Sequence, residues 1–153
     1  MPPSVLFVCL GNICRSPLAE GALRAAATTR GLALRIDSAG IGRWHLGAAP
    51  DPRAQAVARA HGVDISGLRA RQVTPEDFAR FDLILAMDRA NLLALRRMRP
   101  DGAHAALSLL LDHVPGRAGS EIADPWFGGP EGFAETWADV TAGAEALLDR
   151  LAQ

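Results

Sequence analysis

The stretch "VLFVCLGNICRSPLAEG", Val5 to Gly21, decides how the rest of the chain is read. Val5 to Val8 is an unbroken run of bulky apolar residues, the pattern of a short strand buried on both faces. "SPLAEGALRAAATTRG" then carries the marks of a helix, with Ser16 at the N-cap, Pro17 at the first helical position and Gly31 as terminator. Between them lies "CLGNICRS", Cys9 to Ser16. A loop of that length closing on a helix N-terminus can aim several backbone N–H groups inward, and the helix dipole reinforces the resulting anion nest. Gly11 and Asn12 are residue types that tolerate the left-handed backbone such a cradle needs. Arg15 adds a planar fork for two phosphate oxygens. A cysteine facing these dipoles is drawn toward the thiolate, the nucleophilic form, so Cys9 is the candidate nucleophile. In isolation the same residue would read as inert packing at a strand end.

Composition bounds what surrounds this loop. The chain has 153 residues, 49% hydrophobic and 22% charged, enough to bury one core, so a single domain over residues 1–153 is expected. Its 16 basic and 17 acidic residues nearly cancel and form no Lys/Arg run, which argues against nucleic acid and against a polybasic membrane patch. No segment approaches about eighteen consecutive apolar residues, and the first residues lack the pattern of a secretory signal, so a cytoplasmic protein is expected. The two cysteines, Cys9 and Cys14, are too few for a disulfide scaffold and fit a reducing compartment. Without suitably placed histidines they make no zinc set, and no metal or other cofactor is implied.

Further along, "LALRIDSAG" reads as a second strand ending at Ser38. A helix is expected from about Asp51 and Pro52 to Gly62. "TPEDFARFDLILAMDRANLLALRRMRP" contains a capped turn at Thr74 to Asp77, a strand from Asp82 to Met87, and a helix that must end before Pro100. "AHAALSLLL" is a fourth strand candidate. Phe133, Trp137, Val140, Ala144, Leu147 and Leu151 recur at helical spacing and define the core face of a last helix. The pattern predicts an α/β fold: a four-stranded parallel sheet with helices on both faces and the phosphate-binding loop between the first strand and first helix. In such sheets ligands sit at the carboxyl ends of the strands, where the ends preceding Cys9, Ser38 and Asp88 could converge.

With "DSAG", "WH", "RARQV", "FDLILAMDRAN" and "DPWFGG" added, the opening stretch resembles the low-molecular-weight protein tyrosine phosphatases along nearly the whole chain. The resemblance implies that Cys9 attacks phosphorus to form a cysteinyl-phosphate. The loop from Leu10 through Gly11, Asn12, Ile13, Cys14 and Ser16, with Arg15, would hold the equatorial oxygens. It implies Asp124 as general acid and base, although an Asp-Pro pair alone is more often a turn. Ser16 would stabilise the Cys9 thiolate, and Asn12, held through Ser38, would keep the loop in shape. Trp44, Trp126 and Phe127 would wall a deep cleft suited to a phenyl phosphate. The implied partner is a phosphotyrosine-containing protein, with a bacterial-type tyrosine kinase as one candidate. His45 is read as a surface residue.

Cys14 could capture an oxidised Cys9 as a disulfide, or be a small apolar filler. The related thioredoxin-linked arsenate reductases need further cysteines, which this chain lacks. Related arginine phosphatases carry threonine where Ile13 stands, which favours phosphotyrosine here. Leu68 occupies a position that many relatives give to a histidine supporting the loop, so part of that support is expected to be missing. The chain has no tyrosine, which excludes the control by tyrosine phosphorylation known for some relatives. A noncatalytic phosphate-binding or redox-sensing module is the rival reading; such a module would need no proton donor at Asp124.

Overall fold

The computed structural model describes residues 2–153. Strand β1 (Ser4–Cys9) is followed by α1 (Arg15–Arg30), β2 (Arg35–Gly40), α2 (Pro52–Ala60), a short α3 (Asp77–Arg80), β3 (Leu83–Ala86), α4 (Arg89–Met98), β4 (Ala106–Leu109) and α5 (Pro130–Leu151). The strands form one parallel sheet in the order β2-β1-β3-β4. Because β1 is central, the chain moves from one side of it to the other between β2 and β3. That change of direction opens a crevice at the strand carboxyl ends.

Strand alternation divides the core into two layers. Val5, Phe7 and Cys9 join Leu83 and Leu85 in one layer, against Leu18 and Leu23 of α1, Ala54 and Ala58 of α2, and Val140, Leu147 and Leu148 of α5. Leu6, Val8, Ile84 and Ala86 face the other layer with Phe78 of α3 and Leu92 and Leu95 of α4. The β1 side chains are all buried, as the apolar run at Val5 requires. Phe133, Trp137, Val140, Ala144 and Leu147 are buried on α5, with Leu151 packed at its end. Trp137 stacks on His61 with ring centroids 5.2 Å apart, as a core residue.

Helix boundaries follow local chemistry. Gly31 closes α1 in the left-handed region at φ 67°, and the Asp51 side chain accepts the Arg53 N–H to cap α2. Ser16 is not the N-cap of α1. Cys14 holds that position, and Pro17 lies two residues inside the helix start at Arg15. The reason is competition: the Ser16 hydroxyl is committed to Cys9 and Asn12. Pro17 remains in the first turn, where a missing N–H leaves no bond unmade.

The strand limits also shift. β2 runs past Ser38 because Ala39 and Gly40 pair with Val8 and Cys9. β3 starts after Asp82, whose carboxylate accepts the Ser4 N–H and hydroxyl, and ends before Met87. The "SLLL" run leaves the sheet after Leu109, because Leu110 and Leu111 turn into the opposite core layer.

Candidate active site

The loop after β1 is fixed by turning its carbonyls outward. Cys9 O accepts from Ile41 N–H, Leu10 O from Gly42 N–H, Ile13 O from Asp51 N–H and Cys14 O from Leu18 N–H. Among the described residues, none of the backbone N–H groups from Leu10 to Arg15 donates to another protein group. No side chain caps α1 either. The result is a ring of unspent donors at a helix N-terminus, an arrangement suited to an anion.

Asn12 is the one non-glycine residue with positive φ, at 57°, among the described residues. Its amide nitrogen donates to Ser16 Oγ at 2.8 Å and Ser38 Oγ at 3.0 Å, and its oxygen accepts the Arg71 N–H at 3.0 Å. Three bonds therefore hold a conformation that costs about 1–2 kcal/mol for a residue bearing a Cβ. Gly11 does not share the left-handed conformation. Its missing Cβ instead admits His45, whose Cδ2 would lie 3.1 Å from such an atom. Beneath the loop, a Cβ on Gly40 would meet Gly11 C and Leu10 O at 3.1 Å. Glycine lets β2 approach this closely without pushing the loop aside.

Cys9 is 3% exposed, with Sγ 3.0 Å from Ser16 Oγ. Ser16 Oγ receives the Asn12 amide, and its own proton has two acceptors in reach, Cys9 Sγ at 3.0 Å and Ala39 O at 3.5 Å. The network continues into the core: Ser38 Oγ donates to Glu20 Oε1 at 2.7 Å, and Arg24 holds Glu20 Oε2. Leu68 packs against the apolar core instead of entering this network. Every polar atom of Asn12 nonetheless has a partner, its oxygen taking the Arg71 N–H.

Arg15 is 2% exposed, with Nη1 held by Asp88 Oδ2 at 2.7 Å and Ile122 O at 2.9 Å. Asp88 also caps α4 by accepting the Asn91 N–H. Arg15 Nη2 lies 3.6 Å from Asp124 Oδ2. Asp124 Oδ1 accepts the Trp126 N–H at the head of a 3₁₀ turn, Pro125–Phe127, so Oδ2 is the oxygen turned toward the arginine.

These residues share one cleft of about 170 Å³, whose lining includes Cys9, Arg15 and Asp124 together with Trp44, His45, Trp126 and Phe127. Cavities of that order hold a benzene ring. Trp44 is 71% and Phe127 93% exposed, so both edge an open mouth rather than a sealed pocket. His45 is not simply a surface residue: it lines the cleft, with its ring 5.8 Å from that of Trp126. Cys14, also in the lining, is buried. Desolvation, then the charges of Asp51, Cys9 and Asp124, push its thiol well above the ordinary range.

Fold and site thus define a cysteine-bearing oxyanion loop of the phosphate-binding kind, supplied with its own arginine and carboxyl group. The family described as "Low molecular weight phosphotyrosine protein phosphatase" matches residues 4–153, and the chain belongs to it. A fission yeast (Schizosaccharomyces pombe) protein of that same name is 39% identical over 151 residues, covering 97% of this chain and 96% of its own. The crystal structure of YfkJ from Bacillus subtilis superposes with a TM-score of 0.91 at 40% identity, covering 99% of this chain and 96% of that one. The Drosophila arginine phosphatase structure gives 0.90 at 34% identity over 95% and 96% of the two chains.

Sequence reasoning missed Glu20, Arg71, Arg53, Gly40 and the position of His45. Glu20 offered a usable signal, as a carboxylate on the apolar face of a helix otherwise read as core. The others act through partners far along the chain.

Proposed function

We propose that the chain hydrolyses phosphotyrosine in proteins, with Cys9 as nucleophile, Arg15 as phosphate clamp and Asp124 as general acid and base. The observation that carries this reading is the convergence of Cys9 Sγ, the uncommitted loop N–H groups, Arg15 and Asp124 on one cleft. The Cys9 thiolate attacks phosphorus as the bond to the phenolic oxygen breaks. Asp124 gives that oxygen its proton. The negative charge on the equatorial oxygens is met by the loop N–H groups and by Arg15, which Asp88 and Ile122 hold in orientation. Asp124 then takes a proton from the water that attacks the cysteinyl-phosphate, releasing inorganic phosphate and the thiolate.

Trp44, Trp126 and Phe127 extend the cleft upward from the loop, which suits the reach of a phosphotyrosine and disfavours shorter phosphoserine. Ile13 in place of threonine favours phosphotyrosine over phosphoarginine. The partner is a phosphotyrosine-bearing protein, a bacterial-type tyrosine kinase among the candidates. Cys14 serves as resolving thiol: the Cys9 sulfenic acid and the Cys14 thiol condense to a disulfide with loss of water. The raised Cys14 value makes this capture slow at neutral pH.

Phosphate release from phosphotyrosine and phosphoarginine peptides, followed in the presence of chelator, tests the reading. Cys9→Ser should reduce phosphotyrosine turnover at least about a thousandfold while phosphate still binds. Asp124→Asn should slow it about 10²- to 10⁴-fold. Phosphate binding without turnover of either peptide by the parent protein favours the rival binding module. Exclusive turnover of phosphoarginine overturns the substrate assignment but leaves the chemistry. For Cys14, recovery from peroxide as complete in Cys14→Ser as in the parent removes the resolving role.

A further inference from the structure

The backbone of the loop that carries Asp124 is hydrogen-bonded from outside by one side chain among the described residues. Arg53, in the first turn of α2, donates through Nη2 to Trp126 O at 3.2 Å and through Nη1 to Gly128 O at 3.3 Å. Its guanidinium carbon lies 5.7 Å from the Trp126 ring centroid and 4.6 Å from that of Phe133 at the start of α5. Among the described residues, no other side chain from outside segment 124–129 hydrogen-bonds to its backbone. The remaining polar tie is the 3.6 Å approach of Arg15 to Asp124, and it joins the two groups that must both serve the reaction.

Arg53 is itself held from the other side. Asp51 Oδ1 accepts from Arg53 Nε at 3.1 Å and Asp51 Oδ2 from Nη2 at 3.1 Å, while Oδ1 also takes the Arg53 backbone N–H. Burial disfavours the Asp51 carboxylate, but these bonds and the Arg53 charge outweigh it and hold the carboxyl below its usual value. The Asp51 N–H in turn donates to Ile13 O of the phosphate loop at 2.8 Å. One continuous path thus runs from Ile13 through Asp51 and Arg53 to Trp126 and Gly128.

Given the role proposed above for Asp124, we infer that Arg53 is a positioning residue for proton transfer: it sets the distance between the Cys9 loop and the acid-bearing loop without touching the reacting atoms. An inserted phosphate engages Arg15 directly, so the Arg15–Asp124 approach weakens in the loaded site. Arg53 then supplies the remaining side-chain hydrogen bonds to the acid loop. Loss of this latch leaves phosphate binding and nucleophilic attack in place and impairs the delivery of the proton.

The dependence of kcat/KM on leaving-group acidity separates this role from a general structural one. Aryl phosphates from p-nitrophenyl phosphate to phenyl phosphate are compared across the parent, Arg53→Ala, Arg53→Lys and Asp124→Asn proteins. Folding is checked by melting, and the loop by competitive inhibition with inorganic phosphate. Arg53→Ala should lose about tenfold or more on phenyl phosphate and no more than about twofold on p-nitrophenyl phosphate, with phosphate inhibition unchanged. Arg53→Lys keeps the charge but has one nitrogen in place of the three that serve Asp51, Trp126 and Gly128, so it should follow Arg53→Ala. An equal loss on all leaving groups, no loss, or full rescue by lysine overturns the positioning role. If Asp124→Asn is itself insensitive to the leaving group, the acid assignment fails, whatever Arg53 does.

Discussion

The two loops that meet in the cleft are built on opposite terms. Residues 9–16 are buried apart from Leu10 and half-buried Gly11, and their carbonyls and side chains are bonded to β2, α1, α2 and the segment at Arg71. Residues 124–129 expose Trp126 and Phe127, and their backbone is tied to the body of the protein by the side-chain bonds of Arg53. The contrast follows from the tasks proposed for each. A cradle for a tetrahedral anion gains from donors fixed before the ligand arrives, since no reorganisation is then needed. A loop that offers a proton and lines the entrance must admit a bulky phosphoprotein, and rigidity there would obstruct it.

With Cys9, Arg15 and Asp124 left in place, the largest effect is expected where the rigid loop touches the sheet. Gly40→Ala places a methyl 3.1 Å from the backbone of Gly11 and Leu10, neither of which can rotate away. A loss of about 1–3 kcal/mol in denaturant melts is expected, with turnover reduced about a hundredfold by displacement of the loop. Unchanged stability and turnover would show that this loop is less rigid than the comparison holds. Next come two changes at Asn12. Asn12→Ala loses three hydrogen bonds and strains the positive φ, whereas Asn12→Gly loses the bonds alone. The glycine variant should be the more stable by about 1 kcal/mol, and equal melting of the two would assign the loop's shape entirely to its bonds.

The exposed side of the comparison predicts a smaller and different effect. Phe127→Ala removes a side chain that is 93% exposed, so stability should stay within about 0.5 kcal/mol of the parent. The KM for a phosphotyrosine peptide should rise severalfold. A marked drop in melting temperature would mean that the entrance loop packs more tightly than its exposure indicates.

A reference point far from both loops gives the smallest effect. Arg150 can only donate to His113 Nδ1, at 3.1 Å, so Nε2 carries the proton facing Ser108. Burial, then the Arg150 charge, lowers the His113 value below the ordinary 6.5. The unfolded chain therefore binds a proton more readily than the folded one. This contribution to stability is complete above 6.5 and lost as the pH falls from there through the folded value. His113→Gln should flatten that part of the melting profile and leave turnover at neutral pH intact.

How much of this was legible in the sequence depended on how local the cause was. The strand from Val5, the stop at Gly31, the helix start near Asp51 and Pro52 and the stripe on α5 each follow from residues within a few positions of one another, and the structure has them there. The start of α1 was misread because Ser16, a good cap by type, was claimed by Cys9 and by Asn12 at once. Gly40, Glu20 and Arg71 support the loop from other elements, and Arg53 reaches Trp126 and Gly128 from the head of α2. No spacing along one segment could announce those partnerships. Ser38 is intermediate: its approach to Asn12 was expected from family resemblance, and its bond to Glu20 was not.

The uncapped first turn of α1 has a consequence for how the protein behaves in a cell extract. On the function proposed above, its free N–H groups receive the phosphate that the reaction releases, and folding and ligand concentration are then thermodynamically linked. A hundredfold excess of inorganic phosphate over its dissociation constant adds about 2.7 kcal/mol to the folded state. The reaction product is therefore also the protein's conformational preservative. Where phosphate is abundant the folded population is protected while its turnover is restrained, and where phosphate runs short the molecule works fastest and survives least well.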